Sequence, residues 1–257
     1  MITITIAGNT VREALRERLL YNLVVFAVVL TVGSVGFSFL TLGDQTRIVA
    51  DVGTGSAQIF GTLIAVFLGV ALVARELDRR TSYAVLARPV SRAQFALGKY
   101  LGLLATLALN LAVMAAATAG VLILQRGDLN GLGAPLVAAF VVMLAQVAIC
   151  GAFAILFACY STPTLATIFT LSVVAAGHVF GEVRGFWLRA PDVGMKELVR
   201  VLDVLLPNFA LLDLKAAVTY GDAISPASVL LRLGYGFGYA GVVVALACLV
   251  FSRKDLR

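Results

Sequence analysis

The stretch LNGLGAPLVAAFVVMLAQVAICGAFAILFACYSTPTLATIFTLSVVAAGHVFG, Leu129 to Gly181, contains no Asp, Glu, Lys or Arg. As one straight helix it would reach about 80 Å, whereas a bilayer core is about 30 Å thick. It must therefore fold back on itself. Ser161-Thr162-Pro163-Thr164 supplies the break, because proline lacks an amide donor and disfavours helix in the residue before it. Two spans, expected at about 134–160 and 164–181, flank Pro163.

Working outward, charge-free gaps place further spans at about 21–40, 56–74 and 100–125, and the run Leu233–Ser252, extended back past Arg232, gives a last span at about 228–252. Six transmembrane helices follow, in an all-α integral membrane protein. Composition excludes the main alternative. Of 257 residues, 61% are hydrophobic and 13% charged. Soluble domains carry about 25% charged residues, and half that supply does not cover a globule. The first span is longer than a signal-peptide core, so the N-terminus reads as an anchor.

The net charge of +6 is a topology signal. With the N-terminus cytoplasmic, twelve of the 20 Lys and Arg residues fall inside. They are Arg12, Arg16 and Arg18; then Arg75, Arg79, Arg80, Arg88, Arg92 and Lys99; then Arg253, Lys254 and Arg257. Seven fall outside, and Arg232 lies in the last span near its outer end. Both termini are expected to be cytoplasmic, with no role for nucleic acid.

Thr10-Val11-Arg12-Glu13 matches a capping box, and Val11, Leu15 and Leu19 then recur every four residues. Arg12 and Arg16 fall largely off that apolar stripe. A short interfacial helix built on Arg12, Leu15 and Arg16 is expected to lie along the inner membrane surface. In the segment 182–227, Met195, Leu198, Val199, Leu202, Leu205 and Leu206 follow helical spacing up to Pro207, and an apolar patch follows at Phe209–Leu212. An amphipathic or re-entrant element on the outer face fits that pattern.

No phosphate-binding loop is present, since Gly98-Lys99 has Ala93 where the first glycine should stand. One histidine, His178, makes neither a His-rich metal site nor a zinc protease motif. No catalytic, cofactor-binding or metal-ligating set is therefore assigned. The few polar groups within the spans, Asn110, Gln146, His178 and Arg232, are the candidate pathway residues; packing is the competing reading for each. The spans hold no central Asp, Glu or Lys, which counts against an ion-coupled carrier. Gly234-Tyr235-Gly236-Phe237-Gly238 reads as a close-packing Gly-x-x-x-Gly face.

The basic loop between spans two and three reads Arg75-Glu76-Leu77-Asp78-Arg79-Arg80-Thr81, continuing through Leu86-Ala87-Arg88-Pro89-Val90-Ser91-Arg92 to Phe95, Leu97-Gly98-Lys99 and Tyr100. It resembles the signature of type-2 ABC exporter (ABC-2) permeases: a Glu ending span two, a Thr soon after, then Leu-x-x-Pro-[Val/Ile]-Ser-Arg and Gly-Lys. Asp78-Arg79-Arg80-Thr81 stands where the family has acid-Gly-Thr. The opening Asn9–Arg16 is similar to the Nos-type, multicopper-enzyme-maturation branch. Leu206-Pro207-Asn208-Phe209 and Phe251–Leu256 resemble later landmarks of the family.

The resemblance implies a type V exporter-like fold and a single permease domain over 1–257, with a cytoplasmic coupling loop at 75–99 and an extracytoplasmic segment at 182–227. It implies a non-catalytic subunit in a bacterial inner membrane. Such a subunit pairs with a second permease copy or homologue and with two cytoplasmic ATPases, which would hold the ATP and magnesium. A periplasmic partner is compatible with the branch. The coupling helix would be Thr81 to Arg88, with Glu76, Arg79, Arg80, Thr81, Tyr83, Val85, Leu86, Arg88, Pro89 and Arg92 as coupling residues. Two other functions stay open at this point: a secondary transporter or channel, and a scaffold transmitting conformational change across the bilayer.

Overall fold

The structure, a computed structural model, describes residues 2–38, 44–78, 92–187 and 193–253, which contain helices and no strand. In chain order these are α1 (Ile2–Ala14), α2 (Arg18–Ser38), α3 (Gln45–Asp78), α4 (Arg92–Arg126), α5 (Gly133–Ala158), α6 (Pro163–Trp187), α7 (Val193–Leu205), a 3₁₀ turn (Phe209–Leu212), α8 (Lys215–Tyr220) and α9 (Pro226–Arg253). Five of them, α3, α4, α5, α6 and α9, are long and apolar enough to cross a membrane, and α2 holds a shorter apolar stretch, Leu20–Gly36. This is a multi-pass membrane protein.

The most apolar window of α5 is 78% buried within the chain, against 28% for α6 and for α9. That contrast makes α5 the axis of the bundle, with α3, α4, α6 and α9 packed around it. Lipid tails are as apolar as leucine, so close van der Waals contact holds such helices together. Small residues permit it. A methyl group on Gly69 would stand 2.8 Å from Ala154 Cβ, and one on Gly236 would stand 2.6 Å from Ala145 Cβ. Within the chain the expected Gly234/Gly238 face is not the packed one, since a methyl group on either glycine would meet nothing within 4 Å. The buried stripe of α9 runs instead through Gly236, Ala240, Val243 and Ala247. Positions 234 and 238 lie two residues from 236, about 200° around the helix.

Buried hydroxyls are satisfied within their own helices. Thr31, Thr54, Thr106, Thr118 and Thr170 each donate to the carbonyl four residues back, at 2.7–2.9 Å. This suits a medium that offers no water. Thr31 and Ser56 also join α2 to α3 through hydroxyls 3.2 Å apart.

The break at Pro163 is where expected. Helix α5 stops at Ala158, and Pro163 is the first residue of α6, where its missing N–H costs no hydrogen bond. The capping box is corrected. Helix α1 begins at Ile2, eight residues before Thr10, and the Thr10 hydroxyl bonds back to the Ile6 carbonyl at 2.9 Å. A threonine inside a helix can make this bond as readily as it caps a start. The chain then turns at Leu15-Arg16-Glu17, so α1 and α2 are separate helices.

The expected helix before Pro207 is α7. Beyond it the chain folds back against α6, where methyl groups on Gly177 and Gly181 would stand 2.5 Å from the Pro207 carbonyl and 2.8 Å from Asn208 Oδ1. The irregular backbone is supplied with partners by one face of α9. Tyr235 accepts from the Asn208 N–H at 2.8 Å, Tyr239 donates to the Leu205 carbonyl at 2.8 Å, and the Arg232 guanidinium donates to the Leu211 carbonyl. These bonds give the backbone of the fold-back segment protein partners.

Candidate functional site

The segment between α3 and α4 carries the family-like motif. Arg79, Arg80, Thr81, Tyr83, Val85, Leu86, Arg88 and Pro89 lie outside the described residues. Glu76 sits in the last turn of α3 and Arg92 is the first residue of α4, so both stand on the stems of the segment. The two helices are in contact with one another.

Both stems are tied to the N-terminal region. Helix α1 packs along the start of α4, and glycines let the backbones approach. A methyl group on Gly98 would lie 2.8 Å from Ile6 Cβ, and one on Gly102 would lie 2.5 Å from Thr10 Cβ and 2.7 Å from the Ala7 carbonyl. Charge fixes the register. Lys99 Nζ donates to Glu13 Oε2 at 2.9 Å, with the lysine side chain only 6% exposed. Arg75, on the α3 stem, pairs with Glu17 in the turn after α1. The N-terminal region thus bridges the two helices that bound the segment.

Arg12 is exposed in the last turn of α1, whereas Leu15 (half-buried) and Arg16 (exposed) occupy the turn. Glu13 and Glu17 form the tether; sequence reasoning read Glu13 as the acid of a capping box and did not single out Glu17. Spacing along the chain contains no sign of a pair formed across 58 or 86 residues. Gly98 and Gly102, four residues apart on one helix face, were the available signal for a close-packed neighbour.

A second polar group lies inside the bundle. Gln58 of α3 donates to the Gln146 side chain of α5 at 3.1 Å, and Gln146 Nε2 lies 3.4 Å from His178 Nε2 of α6. His178 Nδ1 lies 2.9 Å from the Val174 carbonyl, which can only accept. Nδ1 is therefore placed to donate to that carbonyl, and Nε2 faces the Gln146 amide. Phe209 stacks on the ring at 4.7 Å between centroids. The structure thus joins Gln146 to His178. It places Asn110 apart, buried in α4 with its amide nitrogen unpartnered among the described residues, and Arg232 on the Leu211 carbonyl. No three His, Cys, Asp or Glu side chains gather as a metal set among the described residues.

The family model of the ABC-2 family transporter proteins matches residues 4–256. The chain belongs to that family. No curated protein matches it closely enough to count as a relative. An ABC-2 protein is the permease, the membrane component of an ABC transporter, and is typically non-catalytic. The family generally implies a partner ATPase and a dimeric arrangement. In this ABC-2 chain, the motif-bearing segment emerges from α3 and α4, the two helices that the N-terminal region ties together.

Proposed function

We propose that this ABC-2 permease is the membrane subunit of an ATP-driven export complex. It crosses a bacterial inner membrane six times, α2 included, with both termini cytoplasmic. Two copies, or one copy and a homologue, pair with two cytoplasmic ATPases that hold the ATP and magnesium. The ATPase docks on the segment 79–91, where Tyr83, Val85 and Leu86 supply apolar anchors between charged flanks. The work is substrate export, or assembly on the far side of the membrane as the Nos-type, multicopper-maturation resemblance suggests. The observation that carries this reading is the paired tether: Glu17 on Arg75 and Glu13 on Lys99 hold the two stems as one body. A push on the segment between them would then move α3 and α4 together, and α5 with them.

Candidate pathway residues are Gln146 and His178 at the bundle interior and Asn110 on α4. Arg232 braces the fold-back segment. Glu76, one turn from the motif, would transmit movement into α3. The test is ATP-driven function in membranes from cells carrying Glu76→Ala, alongside labelling of single cysteines at Tyr83 and Asp222. Reduced function with normal insertion, and labelling of the two cysteines from opposite sides with Tyr83 cytoplasmic, is expected. Unchanged function removes the role of Glu76, and a periplasmic Tyr83 removes the orientation.

A further inference from the structure

At the end of the bundle away from the 79–91 segment, α3 begins, α4 ends and α5 begins around a hollow of about 350 Å³. Its lining includes Asp44, Arg47, Arg126, Asn130 and Tyr220. Arg47 lies over the Tyr220 ring at 5.3 Å and is 3.3 Å from the Asp44 carboxylate. These contacts hold its guanidinium in place but leave donors over, because the group has five N–H bonds. The Arg126 side chain makes no ion pair or hydrogen bond among the described residues. The nearby Asp128 lies outside the lining, accepting from the Asn130 amide at 2.7 Å and from its backbone N–H at 3.3 Å. The hollow thus contains two guanidinium groups and one carboxylate, with a net positive charge. Helices α3 and α5 start at its rim while α4 and α8 end there, so the helix dipoles oppose one another and the two guanidinium groups supply the positive charge.

Position identifies the ligand class. Arg126 closes the apolar run of α4, and Arg47 stands at the start of that of α3. In a bilayer that level is occupied by lipid headgroups. We propose that the hollow binds the phosphate of a phospholipid headgroup, with Arg126 and Arg47 as its two cationic ligands. Guanidinium groups suit this task, since their paired N–H bonds match two phosphate oxygens. An adjoining hollow of about 710 Å³ shares Arg47, Thr219 and Tyr220 and includes Asp51. It gives the rest of a polar headgroup room next to a carboxylate. This site rests on the membrane-spanning reading of α3, α4 and α5 and is independent of how the ATPase docks.

The test uses the full chain, purified in detergent with whatever subunits accompany it, and follows its thermal unfolding. The probes are dioctanoyl phosphatidylglycerol, dioctanoylglycerol with the same tails and no phosphate, and inorganic phosphate. A ligand that binds the folded form raises the melting temperature in a saturable way. The phosphatidylglycerol is expected to do so and dioctanoylglycerol is not. Arg126→Gln should weaken the phosphatidylglycerol effect about ten-fold, as expected for loss of a charge-assisted hydrogen bond, and Arg126→Lys should weaken it less. Asn130→Asp, which adds a carboxylate at the rim, provides a second variant should Arg126→Gln fold poorly. An equal response to inorganic phosphate would keep the phosphate site but make its ligand a soluble anion. An equal response to dioctanoylglycerol, or unchanged affinity in both Arg126→Gln and Asn130→Asp, would overturn the proposal.

Discussion

The Lys99 ammonium lies 2.9 Å from the Glu13 carboxylate, joining α1 to the base of α4 across 86 residues of sequence. Glu13 is one-third exposed and Lys99 almost fully covered, so the two partners are unequal. Removing the acid takes from a covered cation its 2.9 Å carboxylate and leaves weaker contacts such as the Phe95 ring at 5.8 Å, whereas replacing both with apolar groups leaves no charge to satisfy.

Glu13→Gln should therefore loosen α1 from α4 by about 1–3 kcal/mol, and Lys99→Met added to it should restore most of the loss. Limited proteolysis within residues 2–14, compared across the four members of this double-mutant cycle, measures it. Equal sensitivity in the wild type and Glu13→Gln would show that the ion pair does not hold the helix.

Gly102→Val should separate the same two helices by steric force. The added carbons meet Thr10 Cβ and the Ala7 carbonyl, and a backbone carbonyl cannot rotate out of the way. Overpacking of this kind costs about 1–3 kcal/mol. Gly120→Val, on the same helix with nothing within 4 Å of a methyl group, is the control. Thermal unfolding should show a lower midpoint for the first and little change for the second.

Inside the bundle, Gln146 makes two of the interhelical contacts and Gln58 one. Gln146→Leu should thus lower thermal stability more than Gln58→Leu. Each hydrogen bond in a membrane interior is worth about 0.6–2 kcal/mol, because the unfolded reference also finds partners there. Identical midpoints for the two variants would mean that the chain of amides does not join the helices.

Tyr235→Phe should act locally, by depriving the Asn208 N–H of its acceptor. A hydrogen bond worth about 1 kcal/mol corresponds to roughly five-fold faster amide exchange at that residue. Exchange mass spectrometry on the peptide covering Asn208 reads it, with the α5 core as internal reference.

The helical architecture was legible because composition and charge placement respond to the bilayer residue by residue. Pro163 and Pro207 marked breaks because the loss of an N–H has the same consequence wherever it occurs. Thr10–Glu13 misled because its capping pattern is local, and a threonine hydroxyl is also satisfied by the carbonyl one turn back. Gly234 and Gly238 misled because a helix offers several small-residue faces, and only the partner decides which one packs. The tether of Glu13 and Glu17 was not legible, since each acid meets its base only when elements distant in sequence have packed together. The family-like motif was recognised by resemblance, and its flanking bases Arg75 and Lys99 are bound by the N-terminal region.

On the proposed function, the ATPase docks on the segment 79–91. The direct measurement is to solubilise the tagged protein from its native membranes and identify what co-purifies, comparing the wild type with a Leu86→Asp, Arg92→Glu double variant. An ATPase bound to the wild type and lost from an intact double variant is the predicted result. An ATPase absent from both preparations, or retained equally by both, would contradict it.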